Sequence, residues 1–438
     1  MRKVYMSFLG TGEYSETEYE YQGKIAGKTK FVQTAEFELL GKHRPETAFI
    51  LVTASSKEKH FTVLKDELER FGVSPKAVEV TEDMSPEGQW SWLETILELV
   101  GEGDRLTIDF THGYRSLPII FSTAIHFLQK TRGVVLEHVF YGAFEQNRFS
   151  PPIVDMRRFY DINIWTDAVT RLTEDADAAG IAAASATTNR QFAELENDTF
   201  ANACTDVTRR IKNVDINNVA DSVHKLLQEL AKMKENSSPG TGMLLDLVQK
   251  KFAPLATPST SNPDRTGYDL AYFQVQLQLA RLLLDHGLFM QAFTVMREWL
   301  SSLVMLYFES REKMNAKKRR RRSKHYGGIF FNMLQYQEKD WKFDGKEKER
   351  DRIIPFYNEL KEQGALDELI GGNKTVAEKL SKYRNGFDHA WLGKAGMEND
   401  FEQQGREIFD KLVRCLKKMQ QLQQDNACQY LAQKASDE

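Results

Sequence analysis

Apolar and polar positions follow two rhythms along this chain. Over the first 160 or so residues, short strand-like runs fall at 4–9, 48–52, 76–80, 106–110 and 134–141. Between them apolar residues recur every three or four positions. Phe61, Leu64, Leu68 and Phe71 make one such stripe, and Trp90, Leu93, Ile96, Leu97 and Val100 another. The runs read as buried strands and the stripes as amphipathic helices. Strands alternating with helices predict crossover units and a mainly parallel sheet. Ligands of such sheets bind at the carboxyl ends of the strands, which singles out the loops after Leu9, Val52 and Phe110.

Beyond residue 161 the strand rhythm stops. Residues 162–235 have a helical pattern, alanine-rich near 176–186, and loop signals follow at Ser237-Ser238-Pro239-Gly240 and over 254–263. From Asp269 onward the pattern is helical again. Leu277, Ala280, Leu283 and Leu284 form one stripe. Phe289, Ala292, Phe293, Met296, Leu300, Leu303 and Val304 form a second, and Phe409, Leu412, Val413, Leu416 and Met419 a third. No internal repeat is visible. The spacing thus predicts an α/β unit over 1–160, an all-α linker over 161–265 and a second all-α domain over 266–438. Within the last, Lys317-Lys318-Arg319-Arg320-Arg321-Arg322-Ser323-Lys324 is a block of like charge expected to form a solvated loop.

Composition narrows the function. At 438 residues the chain is long enough for two or three domains, and 41% hydrophobic with 28% charged residues is an ordinary globular mixture. Lys and Arg number 59 against 63 Asp and Glu, a formal charge of −4. A protein that coats duplex DNA is usually basic, so any nucleic-acid site here is local or takes a small ligand. Cys204, Cys415 and Cys428 are far apart, which excludes a disulfide scaffold or a cysteine zinc ribbon. No apolar run approaches the roughly 18–20 residues of a membrane span, and the apolar start is too short for a signal peptide. A cytoplasmic protein without membrane partners is expected.

Three motifs carry chemistry. Gly10-Thr11-Gly12-Glu13-Tyr14 follows the first strand, where glycines let backbone amides approach a phosphate. It lacks the third glycine of a dinucleotide fingerprint and the Gly-Lys-Ser/Thr of a P-loop, and a plain turn would satisfy the same residues. Asp109-Phe110-Thr111-His112-Gly113-Tyr114-Arg115-Ser116-Leu117-Pro118 leads from a strand into a helix. It sets Thr111, His112, Arg115 and Ser116 where a helix dipole favours anions. Ser116 could instead cap the helix, and His112 could be a core histidine. Arg384-Asn385-Gly386-Phe387-Asp388-His389 offers a base or acid in His389 and a charge-stabilising guanidinium in Arg384, suited to RNA cleavage without metal. On a straight helix these two point about 140° apart. Either a helix begins inside the motif, or two copies complete one site. Arg297-Glu298 is a polar pair in an apolar helix, buried or partly exposed. No His-Glu-x-x-His, Gly-x-Ser-x-Gly or Cys-x-x-Cys occurs, and no metal ligand set is expected.

Taken in order, Phe8-Leu9-Gly10-Thr11-Gly12, the Thr111–Pro118 string, Tyr141-Gly142-Ala143-Phe144-Glu145, Trp165-Thr166-Asp167-Ala168-Val169 and Arg384-Asn385-Gly386-Phe387-Asp388-His389 resemble one family. It is the CRISPR-associated ribonucleases of type III systems that join a CARF to a HEPN domain. The resemblance spans nearly the whole chain, apart from about 170–265 and the basic block. It implies a Rossmann-like CARF sensor over 1–160 that binds cyclic oligoadenylate, and a HEPN nuclease over 266–438. Such nucleases cut single-stranded RNA without metal, as a homodimer or higher assembly. By the same resemblance Gly10, Thr11, Gly12, Thr111, His112, Gly113, Arg115 and Ser116 would hold the ligand, and Arg384, Asn385 and His389 would be catalytic. No cofactor is implied. The allosteric activator would be cyclic oligoadenylate, with cyclic tetra-adenylate the commoner form. A second reading is a non-catalytic nucleotide-sensing regulator acting through a helical DNA-binding or interaction domain. Intact Arg384, Asn385 and His389 favour the nuclease.

Overall fold

A computed structural model describes residues 1–144, 149–185, 195, 197–256, 267–343, 345–388 and 400–436, the last dozen of these as backbone only. The chain divides into two compact units, Met1–Ile164 and Trp165–Glu438.

In the first unit a six-stranded sheet is built from β1 (Lys3–Leu9), β4 (Thr47–Val52), β5 (Lys76–Glu79), β6 (Arg105–Asp109), β7 (Val135–Gly142) and β8 (Ile153–Asp155), in the order β5-β4-β1-β6-β7-β8. All neighbours are parallel except β7 and β8. A small hairpin of β2 (Glu20–Tyr21) and β3 (Lys24–Ile25) stands apart. It turns on Gln22 and Gly23, both at positive φ as a two-residue hairpin requires. The expected parallel sheet is present. The hairpin and β8 escaped the sequence pattern because each is only two or three residues long.

β1 is central, so both its faces are covered, which is why it reads as a continuous apolar run. Val4, Met6 and Phe8 pack with Trp92, Ile96 and Phe121 on one side. Tyr5 and Leu9 pack with Ile50, Leu64 and Leu68 on the other. The covering helices are α1 (Val32–Leu40), α2 (Ala54–Ser56), which passes through a π-turn into α3 (Thr62–Glu69), α4 (Pro86–Leu99) and α5 (Leu117–Arg132). In α4 the stripe through Trp90 is corrected. Ser85 caps the helix, the inward positions are Gly88, Trp92 and Ile96, and Trp90 lies outside with its Nε1 donating to Glu94 at 2.9 Å. The chain runs from β1 to β4 and β5 on one side, then returns across β1 to β6 and β7. The carboxyl ends of β1 and β6 therefore flank a topological switch point, the usual place for a ligand.

The second unit is helical among the described residues. α6 (Arg158–Asp175) crosses the division. It is followed by α7 (Ala179–Ser185), α8 (Asp198–Lys212), α9 (Ile216–Lys234), α10 (Pro239–Phe252), α11 (Leu270–Asp285), α12 (Phe289–Ser302), α13 (Val304–Arg311), α14 (Ala316–Gln335), α15 (Glu347–Glu362), α16 (Asp367–Ile370), α17 (Val376–Asp388) and α18 (Phe401–Ser436). The span 165–265 belongs to the same compact unit as the helices after it. α12 packs on α11, α14, α17 and α18. Phe293 meets Tyr383 at 4.7 Å, and Trp299 Nε1 donates to the Phe273 carbonyl at 3.0 Å. No described helix is long and apolar enough to cross a membrane.

The basic block is not a loop: it opens α14. Asn315 caps the helix by accepting the Lys318 N–H at 2.9 Å. Two acids from the preceding segment then neutralise its inward half. Glu309 accepts from Arg319 at 2.5 Å, and Glu312 from Lys318 at 2.9 Å and Arg322 at 3.2 Å. Arg322 also lies over Phe308 and Tyr326. Charge density alone predicted a loop; these counterions, distributed on a helical period, made a helix possible.

Candidate functional site

In the first unit the β1 loop is closed by Tyr14. The Gly10 N–H donates to the Tyr14 hydroxyl at 2.9 Å, and that hydroxyl donates to the Gly10 carbonyl at 3.2 Å. Two side chains following β4 hold the loop from outside. Lys59 donates to the Thr11 carbonyl at 3.0 Å and pairs with Glu13 at 2.6 Å, and His60 Nε2 donates to the Gly12 carbonyl at 2.9 Å. The Tyr14 ring stands edge-on to His60 and to His112, 4.7 Å from each. Burial pushes its hydroxyl up to about 12, so it stays a neutral donor.

The β6 loop is anchored by Asp109, fully buried. Its carboxylate accepts from Ser7 Oγ at 2.7 Å, from the Thr111 N–H at 2.9 Å and from the Thr111 hydroxyl. The Thr111 hydroxyl in turn accepts the Gly142 N–H at 2.7 Å. A Cβ on Gly142 would sit 2.7 Å from Val32 Cγ2 and 3.2 Å from Thr111 Cγ2, so glycine permits this approach. Gly113 is at φ +113°, and a Cβ there would meet Leu117 Cδ1 at 2.5 Å. Below the loops, Gln33 donates to Ser7 Oγ at 2.9 Å and Tyr5 donates to Glu36 at 2.6 Å. Burial, then the nearby Asp109 charge, raises Glu36 well above the usual carboxyl range.

Between the loops lies a cavity of about 440 Å³ lined by Phe8, Leu9, Gly10, Thr11, Gly12, Glu13, Tyr14, Thr53, Thr111, His112, Gly113 and Tyr114. Gly10, Thr11, Gly12, Thr111, His112 and Gly113 were singled out by the sequence, and they meet here. His112 presents a buried Nε2 with no hydrogen-bond partner among the described residues. Its imidazole is pushed toward the neutral form by burial and by the neighbouring His60, against the pull of Asp109. Arg115 and Ser116 do not line the cavity. Arg115 is exposed. Ser116 stands at the α5 cap position without making a cap bond, and its buried Oγ has no partner among the described residues. Sequence reasoning missed Tyr14, Thr53 and His60 as site residues. The loop after Val52 was marked, and Thr53 caps α2 there by accepting the Ser56 N–H at 3.2 Å. His60 sat inside a helical pattern that gave no separate signal.

In the second unit Arg384 and Asn385 are exposed in the last described turn of α17, and Arg384 pairs with Asp388 at 3.3 Å. The helix runs unbroken from Val376 through buried Gly386, so it does not begin inside the motif. His389 lies outside the described residues, as does Glu145. Arg297 and Glu298 pair at 2.8 Å, Glu298 half exposed and Arg297 over the Phe331 ring at 4.8 Å. No group of three or more His, Cys, Asp or Glu able to hold a metal occurs among the described residues.

With this geometry in hand, comparison with known proteins adds one relation in sequence. No family model matches. The chain is 22% identical over 204 residues, 45% of its length, to the CRISPR-associated protein MJ1674 of Methanocaldococcus jannaschii. It is similar to a CRISPR-associated protein. The match spans 29% of that relative's length. Among solved structures, Enterococcus italicus Csm6 bound to cyclic hexa-2′-fluoro-hexa-dAMP aligns over 99% of this chain and 98% of its own, at 11% identity and a TM-score of 0.40.

Chemically, the crevice offers glycine backbone at a strand end, a tyrosine hydroxyl that holds that backbone in place, an imidazole nitrogen with no partner among the described residues, and aromatic edges. That set suits a ligand carrying both phosphate and flat rings. The exposed Arg384 on α17 offers a guanidinium fork to a phosphate.

Proposed function

We propose that the chain is a cyclic oligoadenylate-activated, metal-independent endoribonuclease acting on single-stranded RNA in type III CRISPR defence. Residues 1–160 are the CARF sensor and 266–438 the HEPN nuclease. The observation that carries this reading is the meeting of Gly10, Thr11, Gly12, Thr111, His112 and Gly113 on one cavity at the switch point of a parallel sheet. Similarity to a CRISPR-associated protein supports the setting. Arg384 stabilises charge on the cleaved phosphate, Asn385 orients it, and His389 moves the proton of the 2′-hydroxyl or of the leaving oxygen. One Arg–His pair five residues apart is geometrically short of a site, so a homodimer supplies two copies to one cleft. The protein works in the cytoplasm, where foreign RNA is met.

The test is incubation of the purified protein with labelled single-stranded RNA in EDTA, with and without cyclic tri-, tetra- and hexa-adenylate. Cutting that rises with one ring and leaves 2′,3′-cyclic phosphate ends is expected. Arg384→Ala and His389→Ala abolish it. Strict dependence on added Mg²⁺ or Mn²⁺ overturns the catalytic assignment, and ligand binding without any cutting moves the protein to the regulator class.

A further inference from the structure

Part of the α14 charge is matched within the fold and part is not. Arg319, Arg322 and Lys318 turn inward to Glu309 and Glu312. Lys317, Arg321 and Lys324 are exposed and make no ion pair or hydrogen bond among the described residues. At 3.6 residues per turn these three fall within about 60° of one another, so they form a single row. The row lies in the first turns of a helix, where cations oppose the dipole and like charges four apart repel. The first turn holds no acid to offset them.

The row also has a direction. Lys317 and Gln335 are eighteen residues apart, about five whole turns, and so share one face of α14. At that far end Ser381 of α17 donates to Gln335 at 3.3 Å, and Arg384 follows Ser381 by one turn. The charged row therefore begins about 16 Å from this contact and ends about 27 Å from it along the helix axis. Between them on the same face is Gly328. It is exposed, and a Cβ there would meet nothing within 4 Å. A glycine inside a helix with no packing role leaves the surface low where a chain would pass.

We propose that this face of α14 is a docking track for the phosphate backbone of single-stranded RNA, leading to the end of α17 that carries Arg384. The proposal rests on the reading of the helical unit as a ribonuclease. A row of unneutralised cations matches an extended polyanion, and it acts by counterion release without reading sequence. It also reconciles a net charge of −4 with an RNA substrate, since the positive charge is concentrated where the strand lies.

The test is the triple variant K317Q/R321Q/K324Q, which keeps side-chain length and helix propensity. Binding of a fluorescent single strand is measured over a salt series in an Arg384→Ala background, and steady-state cleavage in the otherwise unaltered chain. Removing three phosphate contacts lowers the slope of log K against log salt by about 2. KM rises about tenfold or more at low salt with kcat held, and the melting temperature does not fall. An unchanged slope and KM overturn the track. So does a fall in kcat at constant KM. A larger loss of affinity for a duplex of equal length overturns the single-strand assignment. A parent protein that neither binds nor cuts RNA with any activator overturns the ribonuclease reading itself, whereas a parent that cuts beside an indifferent triple variant overturns the track alone.

Discussion

The Thr111 hydroxyl donates to Asp109 and accepts the Gly142 N–H, so it ties the end of β6 to the end of β7 before any ligand arrives. Its role in the crevice is to place His112 and Gly113. Thr111→Val keeps the shape, removes both bonds and leaves a carboxylate and an amide short of a partner. A loss of about 2 kcal/mol is expected in equilibrium urea unfolding, with Thr111→Ser close to the parent protein. Glu36 gives a second residue-scale expectation. Its folded pKa is raised by burial and then by Asp109, so the folded chain holds this proton more tightly than the unfolded one. The stability tied to it is complete below the unfolded carboxyl value of about 4.3 and is lost as pH rises toward the folded value. Glu36→Gln accepts the Tyr5 hydrogen bond without ionising. Its melting temperature relative to the parent should rise from pH 4 to pH 8, and a constant difference across that range would exclude Glu36 as the source. At this scale Gly10, Thr11, Gly12, Thr111, His112 and Gly113 were legible because strand ends are, whereas Arg115 and Ser116, one turn further on, fall off the cavity wall. Of the partners that fix them, His60 comes from another element and carries no local signal, while Tyr14 and Gly142 lie inside recognisable strings whose spacing does not say which residue closes the loop.

At the scale of elements, the misread segment teaches more than those read correctly. A run of seven cations over 317–324 has the composition of a solvated loop, and the acids that make it a helix lie at Glu309 within α13 and Glu312 at its end. Sequence periodicity sees apolar stripes, and here the inward face of the first turns is ionic. Arg319 is the most enclosed of the block, its guanidinium held by Glu309 at 2.5 and 3.3 Å. Breaking a buried pair strands the remaining charge, so Arg319→Met should cost about 3 kcal/mol. Arg319→Met with Glu309→Leu should recover much of that loss, because two apolar side chains of similar volume need no counterion. A double variant no better than the single one would show that Glu309 has other work, such as filling the space under Gly267. By contrast α4 was legible from its stripe, since Trp92, Ile96 and the half-buried Leu93 and Leu97 all meet the apolar core. The one error there, Trp90 for Trp92, is a shift of about 200° around the same helix.

For the whole molecule the proposal joins a sensor unit to a nuclease unit, and thermodynamics fixes what that junction must do. A ligand shifts activity only by binding the active form more tightly than the resting one. Taking the active fraction from about 1% to 99% needs a differential of roughly 5.5 kcal/mol. The groups available to supply it are those on the cavity wall, above all the buried His112 nitrogen that has no hydrogen-bond partner among the described residues. His112→Ala should therefore shift the activation curve to higher cyclic oligoadenylate while leaving the low basal cutting intact. Arg115 stands exposed beyond the wall, so Arg115→Ala should shift the curve less. Arg384→Ala should give the converse, binding the ring with unchanged affinity in calorimetry and cutting nothing. Coupling is also reciprocal. An uncleavable RNA bound to the nuclease unit should tighten ring binding by the same factor by which the ring tightens RNA binding, and His112→Ala should shrink both factors together. Equal activation curves for the parent and His112→Ala, or ring affinity indifferent to bound RNA, would remove the crevice from the regulatory path and leave the helical unit to act alone.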